Sequence, residues 1–141
     1  MDIPDAHLFT LKTGTDQTVL LSEGQHILRR FGQIESRTHK QGDVIPFTRR
    51  TVADEIWVPL SGSAIFHLHD LRPDSPSFKR DLSVELDSNH PSGLLIPFGV
   101  AYAYRIQREG ILLRISTHAD DTHPEDELPI GEDLSDLLDI E

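Results

Sequence analysis

Glu55-Ile56-Trp57-Val58-Pro59-Leu60-Ser61-Gly62 and Pro97-Phe98-Gly99-Val100-Ala101-Tyr102 frame the most informative part of this chain. Between them lie His69-Asp70-Leu71-Arg72 and Ser75-Pro76-Ser77-Phe78. Glu55–Leu60 and Ala64–His69 read as strands, and the Ser-Gly-Ser between them is a hairpin signal. A polar excursion follows, and then Leu82–Leu86 alternates as a further strand. Pro97-x-Gly99 sets a bend before a strand over Ala101–Gln107.

Working outward, Thr18–Leu21 and Gln25–Leu28 read as short strands split by Ser22-Glu23-Gly24. Arg30–Glu35 alternates as another, and Thr38–Gly42 is a polar loop. Val44–Phe47 is interrupted by Pro46, which puts it near an edge or a bend. Gly93–Pro97 and Ile111–Ser116 complete the series, with an arginine-containing loop at Arg108-Glu109-Gly110 between the last two strands. About nine short strands and almost no helical pattern before residue 130 predict an all-β barrel or sandwich. A jelly roll closes such strands and protects their edges.

At 141 residues the chain has the length of one domain able to bury a core. We expect a single barrel domain over residues 1–128 and an acidic tail over 129–141. The apolar share of 37 % and charged share of 26 % suit a soluble globular protein. With no cysteine, disulfides, thiolate metal sites and cysteine nucleophiles are excluded. The start MDIPDAHLFTLK lacks a basic head and apolar block, so a cytoplasmic location is expected. No apolar run reaches membrane-spanning length, and no membrane partner is expected. Formal net charge is -11, and much of it lies from Asp120 onward, where Lys and Arg are absent. Nothing resembles a basic stripe with aromatics, so no nucleic-acid partner is expected. The tail reads either as a solvated segment or as a short helix over residues 132–140, whose leucines have near-helical spacing and suit docking on a partner subunit.

These motifs carry a resemblance. Glu55, six residues and Gly62 match the end of the first cupin motif. Pro97-Phe98-Gly99-Val100-Ala101-Tyr102 matches the second, with Tyr where His is usual. Asp70-Leu71-Arg72 followed by Ser75-Pro76-Ser77-Phe78 is similar to a segment of the dTDP-4-dehydrorhamnose 3,5-epimerase family; the dTDP-sugar 3,4-ketoisomerases are a second likeness. Over residues 43–127 the chain thus resembles the sugar-nucleotide branch of the cupins. The resemblance implies a cupin-type double-stranded β-helix, a homodimer, and a link to nucleotide-linked keto sugars. The same turn residues also serve the barrel alone: Gly62 suits a tight turn, and Asp70 with Arg72 suits a local ion pair.

The chemistry departs from the pattern. Metal-dependent cupins need His-x-His before the Glu and a His after Pro-x-Gly. Here Arg49 and Arg50 stand before Glu55, and Tyr102 stands after Gly99, so neither a metal nor another cofactor is expected. His67-Leu68-His69 lies on the next strand with the opposite parity and reads as a surface or interface pair. Epimerisation next to a ketone needs a base, an acid and an enolate stabiliser. The resemblance implies Lys, Asp and Tyr at the positions of Glu55, Phe66 and Arg114, and a His motif before the hairpin. None of these stands there, and no catalytic residue is assigned.

Strand alternation puts Glu55, Trp57, Phe66, Leu68, Tyr102, Tyr104 and Arg114 on one inward set. Glu55 and Arg114 form either a buried salt bridge or part of a ligand pocket, with Arg49 and Arg50 adding positive charge at its mouth. The pocket candidates are therefore Arg49, Arg50, Glu55, Trp57, Tyr102, Tyr104 and Arg114, and the expected ligand is a small anionic sugar or sugar nucleotide. The leading function is a 3,5-epimerase-like cupin with altered or lost isomerase activity. The alternatives are a non-catalytic binding or regulatory cupin and an assembly subunit.

Overall fold

The computed structural model describes residues 3–22, 25 and 27–120, together with the backbone of 127–129. In chain order the strands are β1 (His7–Thr10), β2 (Lys12–Gly14), β3 (Gln17–Val19), β4 (Gln33–His39), β5 (Val44–Arg50), β6 (Glu55–Asp70), β7 (Asp81–Asp87), β8 (Ser92–Ile96), β9 (Val100–Ser116) and β10 (Glu127–Pro129). No α-helix occurs among the described residues.

Two long strands organise the rest. β6 and β9 pair antiparallel along their whole length, from Glu55↔Ser116 to Asp70↔Val100. Both bend in the middle, where the register shifts between Pro59 and Ala64. Gly62 has φ 78°, and a Cβ there would lie 2.4 Å from the Glu109 carbonyl oxygen. A Cβ on Gly110 would lie 2.0 Å from the Ser61 carbonyl oxygen. The two glycines let the backbones cross closely at a bulged corner. The hairpin expected at Ser61-Gly62-Ser63 and the loop expected at Arg108-Glu109-Gly110 are therefore kinks within continuous strands. The same small residues serve turns and bulges, and the cross-strand partner selects between them.

Beyond the corner each long strand changes neighbours. The first half of β6 pairs with β8 and the second half with β7. The last half of β9 pairs with β4 and the first half with β5. β1 adds to β8, and β10 adds to β5. One sheet thus runs β1-β8-β6-β9-β4 and the other β7-β6-β9-β5-β10, sharing the bent strands, which is the jelly roll.

The core between them contains Trp57, Phe66, Leu68, Leu86, Leu94, Tyr102, Tyr104 and Ile106. Trp57 is fully buried, as its inward register requires. Ile56, Val58, Leu113 and Ile115 face the other way. Phe9, Leu11, Leu20, Leu21, Ile27 and Leu28 cover them. Here the strand expected over Thr18–Leu21 stops early, since β3 ends at Val19, and Ile27 and Leu28 are irregular rather than strand. They act as an apolar cover, a role that needs side-chain burial and no ladder. Conversely, β4 starts at Gln33 and extends into the start of the expected loop, ending at His39, while Lys40-Gln41-Gly42 keep the turn. Pro129 lies in β10 opposite Thr48, and the helix expected over 132–140 lies outside the described residues.

Asp70 pins the excursion between β6 and β7. Its fully buried carboxylate accepts hydrogen bonds from Ser75 Oγ at 2.6 Å, Ser77 Oγ at 2.5 Å and Arg72 Nε at 3.0 Å. Arg72 also donates to the Pro4 carbonyl at 2.7 Å, which ties the N-terminal segment to this loop. Burial by itself would raise the Asp70 pKa. The Arg72, Ser75 and Ser77 hydrogen bonds outweigh it and hold the group well below the usual carboxylate range.

Candidate functional site

β4 runs antiparallel along the last half of β9. β4 reads Gln33-Ile34-Glu35-Ser36-Arg37-Thr38-His39, and it inverts the usual alternation. Ile34 is exposed, while Gln33, Glu35, Arg37 and His39 are partly buried. Side chains alternate across a strand, so these four polar groups share the inward face. The inward face of β4 is therefore polar.

Against this face a buried ion cluster closes around Glu55. Arg50 Nη1 and Arg114 Nη1 both donate to Glu55 Oε2 at 2.8 Å. Glu55 and Arg114 are fully buried and Arg50 nearly so. Arg114 Nη2 turns toward the mouth, where it meets Glu35 and donates to Asp120 Oδ2 at 2.5 Å. Arg50 Nη2 lies 3.3 Å from the other Asp120 oxygen. Gln33 Nε2 donates to Glu35 Oε1 and Asp120 Oδ2, each at 3.2 Å. Burial opposes the Arg114 charge, but Glu55, Glu35 and Asp120 outweigh it and hold the guanidinium above its ordinary range.

Beside the cluster stands an aromatic box. Trp57 lies 5.3 Å from Phe66, 5.7 Å from Tyr102 and 5.2 Å from Tyr104 between ring centroids. Arg37 covers it from the mouth, with its guanidinium 5.3 Å from the Trp57 ring and its Nε 3.1 Å from Glu35 Oε2. His39 Nε2 and Tyr104 OH share a 3.0 Å hydrogen bond. Burial pushes the Tyr104 hydroxyl up, and Arg37 beside it offsets part of that rise. The side chains of Glu35, Arg37 and Asp120 are 27 %, 28 % and 44 % exposed, so they form the reachable rim. Glu55, Trp57 and Arg114 form the floor.

The structure therefore brings Arg50, Glu55 and Arg114 into one cluster and Trp57, Tyr102 and Tyr104 into one box. Arg49 does not join them, because it follows Thr48 on β5 with the opposite parity to Arg50 and lies on the outer face of its sheet. Sequence reasoning missed Gln33, Glu35, Arg37, His39 and Asp120. The inverted alternation of β4 is a signal that reveals the first four; Asp120 follows the end of β9 and carries none. His67 and His69 face away from the box, toward Ser83 and Asp81. Among the described residues no group of three His, Asp or Glu is arranged to hold a metal ion.

Similarity points the same way as the architecture. A dTDP sugar isomerase of Desulfovibrio desulfuricans superposes with TM-score 0.84 over 95 % of this chain and 88 % of its own, at 18 % identity. An rmlC epimerase of Mycobacterium tuberculosis superposes with TM-score 0.83 over 92 % and 70 %, at 18 % identity. A Bacillus anthracis dTDP-4-dehydrorhamnose 3,5-epimerase gives 0.78 over 92 % and 80 %, at 19 % identity. The fold is that of the dTDP-4-dehydrorhamnose 3,5-epimerases. No family model matches the sequence. In sequence, the chain is 31 % identical over 90 residues to the spore coat polysaccharide biosynthesis protein SpsL of Bacillus subtilis, a match over 64 % of this chain. It spans 60 % of that relative's length. Within the 3,5-epimerase fold, Asp70-Leu71-Arg72 and Ser75-Pro76-Ser77-Phe78 form the pinned excursion, and the polar mouth on β4 lies apart from it.

Proposed function

We propose that this protein is a 3,5-epimerase-like cupin of sugar-nucleotide metabolism that binds a small sugar or sugar-nucleotide ligand in the mouth lined by Arg37, Arg50 and Arg114. In this reading it has lost the proton-transfer chemistry of its fold relatives at the corresponding positions. One observation carries the second half. Glu55, standing where the resemblance implies a Lys, is buried and held by two arginines on one oxygen. A carboxylate has no ammonium proton to give, and both guanidiniums already occupy its Oε2. Phe66 closes the aromatic box and offers no titratable group. Arg114, with three carboxylates about it, keeps its proton. The ligand class is supported by the fold relatives: the Legionella pneumophila 3,5-epimerase is in complex with dTDP-4-keto-L-rhamnose.

The homodimer belongs to the same proposal. β4 pairs on one side only among the described residues, and Phe31 and Ile34 are exposed there. Sedimentation of the full chain tests it. For the site, a dTDP-sugar panel read by thermal shift should raise the melting temperature. In deuterated water the protons flanking a dTDP-4-keto sugar carbonyl should not exchange. Rapid exchange that disappears in Glu55→Gln would overturn the loss of chemistry and establish a rebuilt base.

A further inference from the structure

We propose that residues 130–141, which lie outside the described residues, dock as an acidic amphipathic helix on the outer face of β5, β9 and β6 of their own chain. Strand parity and register lay that face out in rows. Val44, Arg105 and Ile65 share one row, since Arg105 pairs with both neighbours. Further along the face, Phe47, Ala101 and Ala103 are buried with Leu71 packed against them. The face is therefore covered at one end and open at the other, where Val44 is 49 % exposed and Ile65 and Arg105 are half-buried. Arg49 shares the outward parity of Phe47. Arg29, Arg37, Arg72 and Arg108 each hold a carboxylate. Among the described residues Arg49 and Arg105 form no ion pair, and Arg49 Nε is buried without a hydrogen-bond partner.

The segment supplies what this face lacks. Ile130, Leu134, Leu137 and Leu138 recur at the spacing of one helical face. Glu132, Asp133, Asp136 and Asp139 stand between them, and residues 130–141 hold no Lys or Arg. Carboxylates flanking an apolar stripe complement arginines set beside Val44 and Ile65. The chain also arrives at the right place in the right direction. β10 runs antiparallel to β5 with Pro129 opposite Thr48, so the chain leaves β10 heading toward the open end at Val44. A helix over 132–140 is about 13 Å long, and β5 from Thr48 back to Val44 spans about the same 13 Å. Gly131 permits the turn between strand and helix. Glu85 pairs with Ile65 from β7, and its charge confines an acidic helix to the β5–β9 side. A short tether holds the segment at roughly millimolar effective concentration, which favours it over the same segment of a second copy.

The chain has no cysteine, so a pair of substitutions reports the contact. In the full chain, Val44→Cys with Leu137→Cys should close an intramolecular disulfide under mild oxidation, read on non-reducing gels and by mass. Adding Arg49→Glu and Arg105→Glu should slow closure by roughly threefold to tenfold at low salt. Reversing the segment's own charges as well, with Asp133→Lys, Asp136→Lys and Asp139→Lys, should restore the rate. Leu134→Asp with Leu138→Asp should slow closure without altering any residue of the barrel. Trp57, fully buried, reports by its fluorescence that the barrel is folded in each variant. A tethered but undocked segment would close at a rate that neither the charge reversal nor the loss of the leucines changes, and that result overturns the proposal. Disulfides formed only between two molecules assign the face to a second copy's segment and overturn it as well.

Discussion

Glu55→Gln probes the centre of the barrel with little change of shape. The native carboxylate receives both arginines on Oε2 at 2.8 Å, while Oε1 has no hydrogen-bond partner among the described residues. The amide can still present an oxygen to both guanidiniums, so the substitution removes chiefly the charge. Breaking a buried ion pair by removing one partner typically costs about 3–5 kcal/mol. Here the lower end applies, because Arg114 keeps Glu35 and Asp120, and Arg50 keeps Asp120. We therefore expect a loss of about 3 kcal/mol, or a fall of roughly 6–12 °C in melting temperature for a domain of this size. Trp57, the sole tryptophan, is fully buried and shares its strand with Glu55. Its fluorescence during urea unfolding is the assay, and the midpoint should move with an unchanged slope. A loss below about 1 kcal/mol would refute the reasoning, since the two arginines would then be held by the rim carboxylates and the cluster would have no centre.

Asp70→Asn should cost about 2–3 kcal/mol at neutral pH, because the charged hydrogen bonds from Arg72 and the two serines are lost together. The folded pKa of Asp70 is depressed, so its contribution is full above the unfolded value near about 3.9 and falls away as pH drops below that. Acid titration of stability should show a limb in the native protein that is flattened in the variant; parallel limbs would count against it. Tyr104→Phe removes the bond to His39 and should cost about 1 kcal/mol. Because burial raises the Tyr104 pKa, its stabilisation is present below about pH 10 and is lost as pH rises past the folded value, so the variant should show a shallower alkaline limb. Gly110→Ala forces a Cβ to within 2.0 Å of the Ser61 carbonyl; a loss of roughly 2–4 kcal/mol in urea unfolding is expected, and a neutral variant would contradict the crossing at the corner.

Much of the barrel is legible in one dimension. The alternation through Glu55–Leu60 and Ala64–His69 specifies which side chains turn inward, because the period of a strand is two and a slip by one residue would expose Trp57. The same parity brings Phe66, Tyr102, Tyr104 and Arg114 to the interior. Pro97-x-Gly99 marks the entry to β9 through backbone geometry that any partner would require. What a residue pattern leaves open is the identity of partners distant along the chain. Ser61-Gly62-Ser63 suits a hairpin as well as a bulge, and it becomes a corner because Gly110 of the facing strand admits a close crossing. Ile27 and Leu28 look like strand residues, and they become a cover because an apolar sheet face lies beneath them. Arg50 and Arg114 are separated by most of the barrel in sequence. Their joint hold on Glu55, and the placing of Asp120 between them, arise from strand pairings that bring the ends of β5 and β9 and the start of β6 to one mouth. Charges find such partners through space, and no local propensity encodes them.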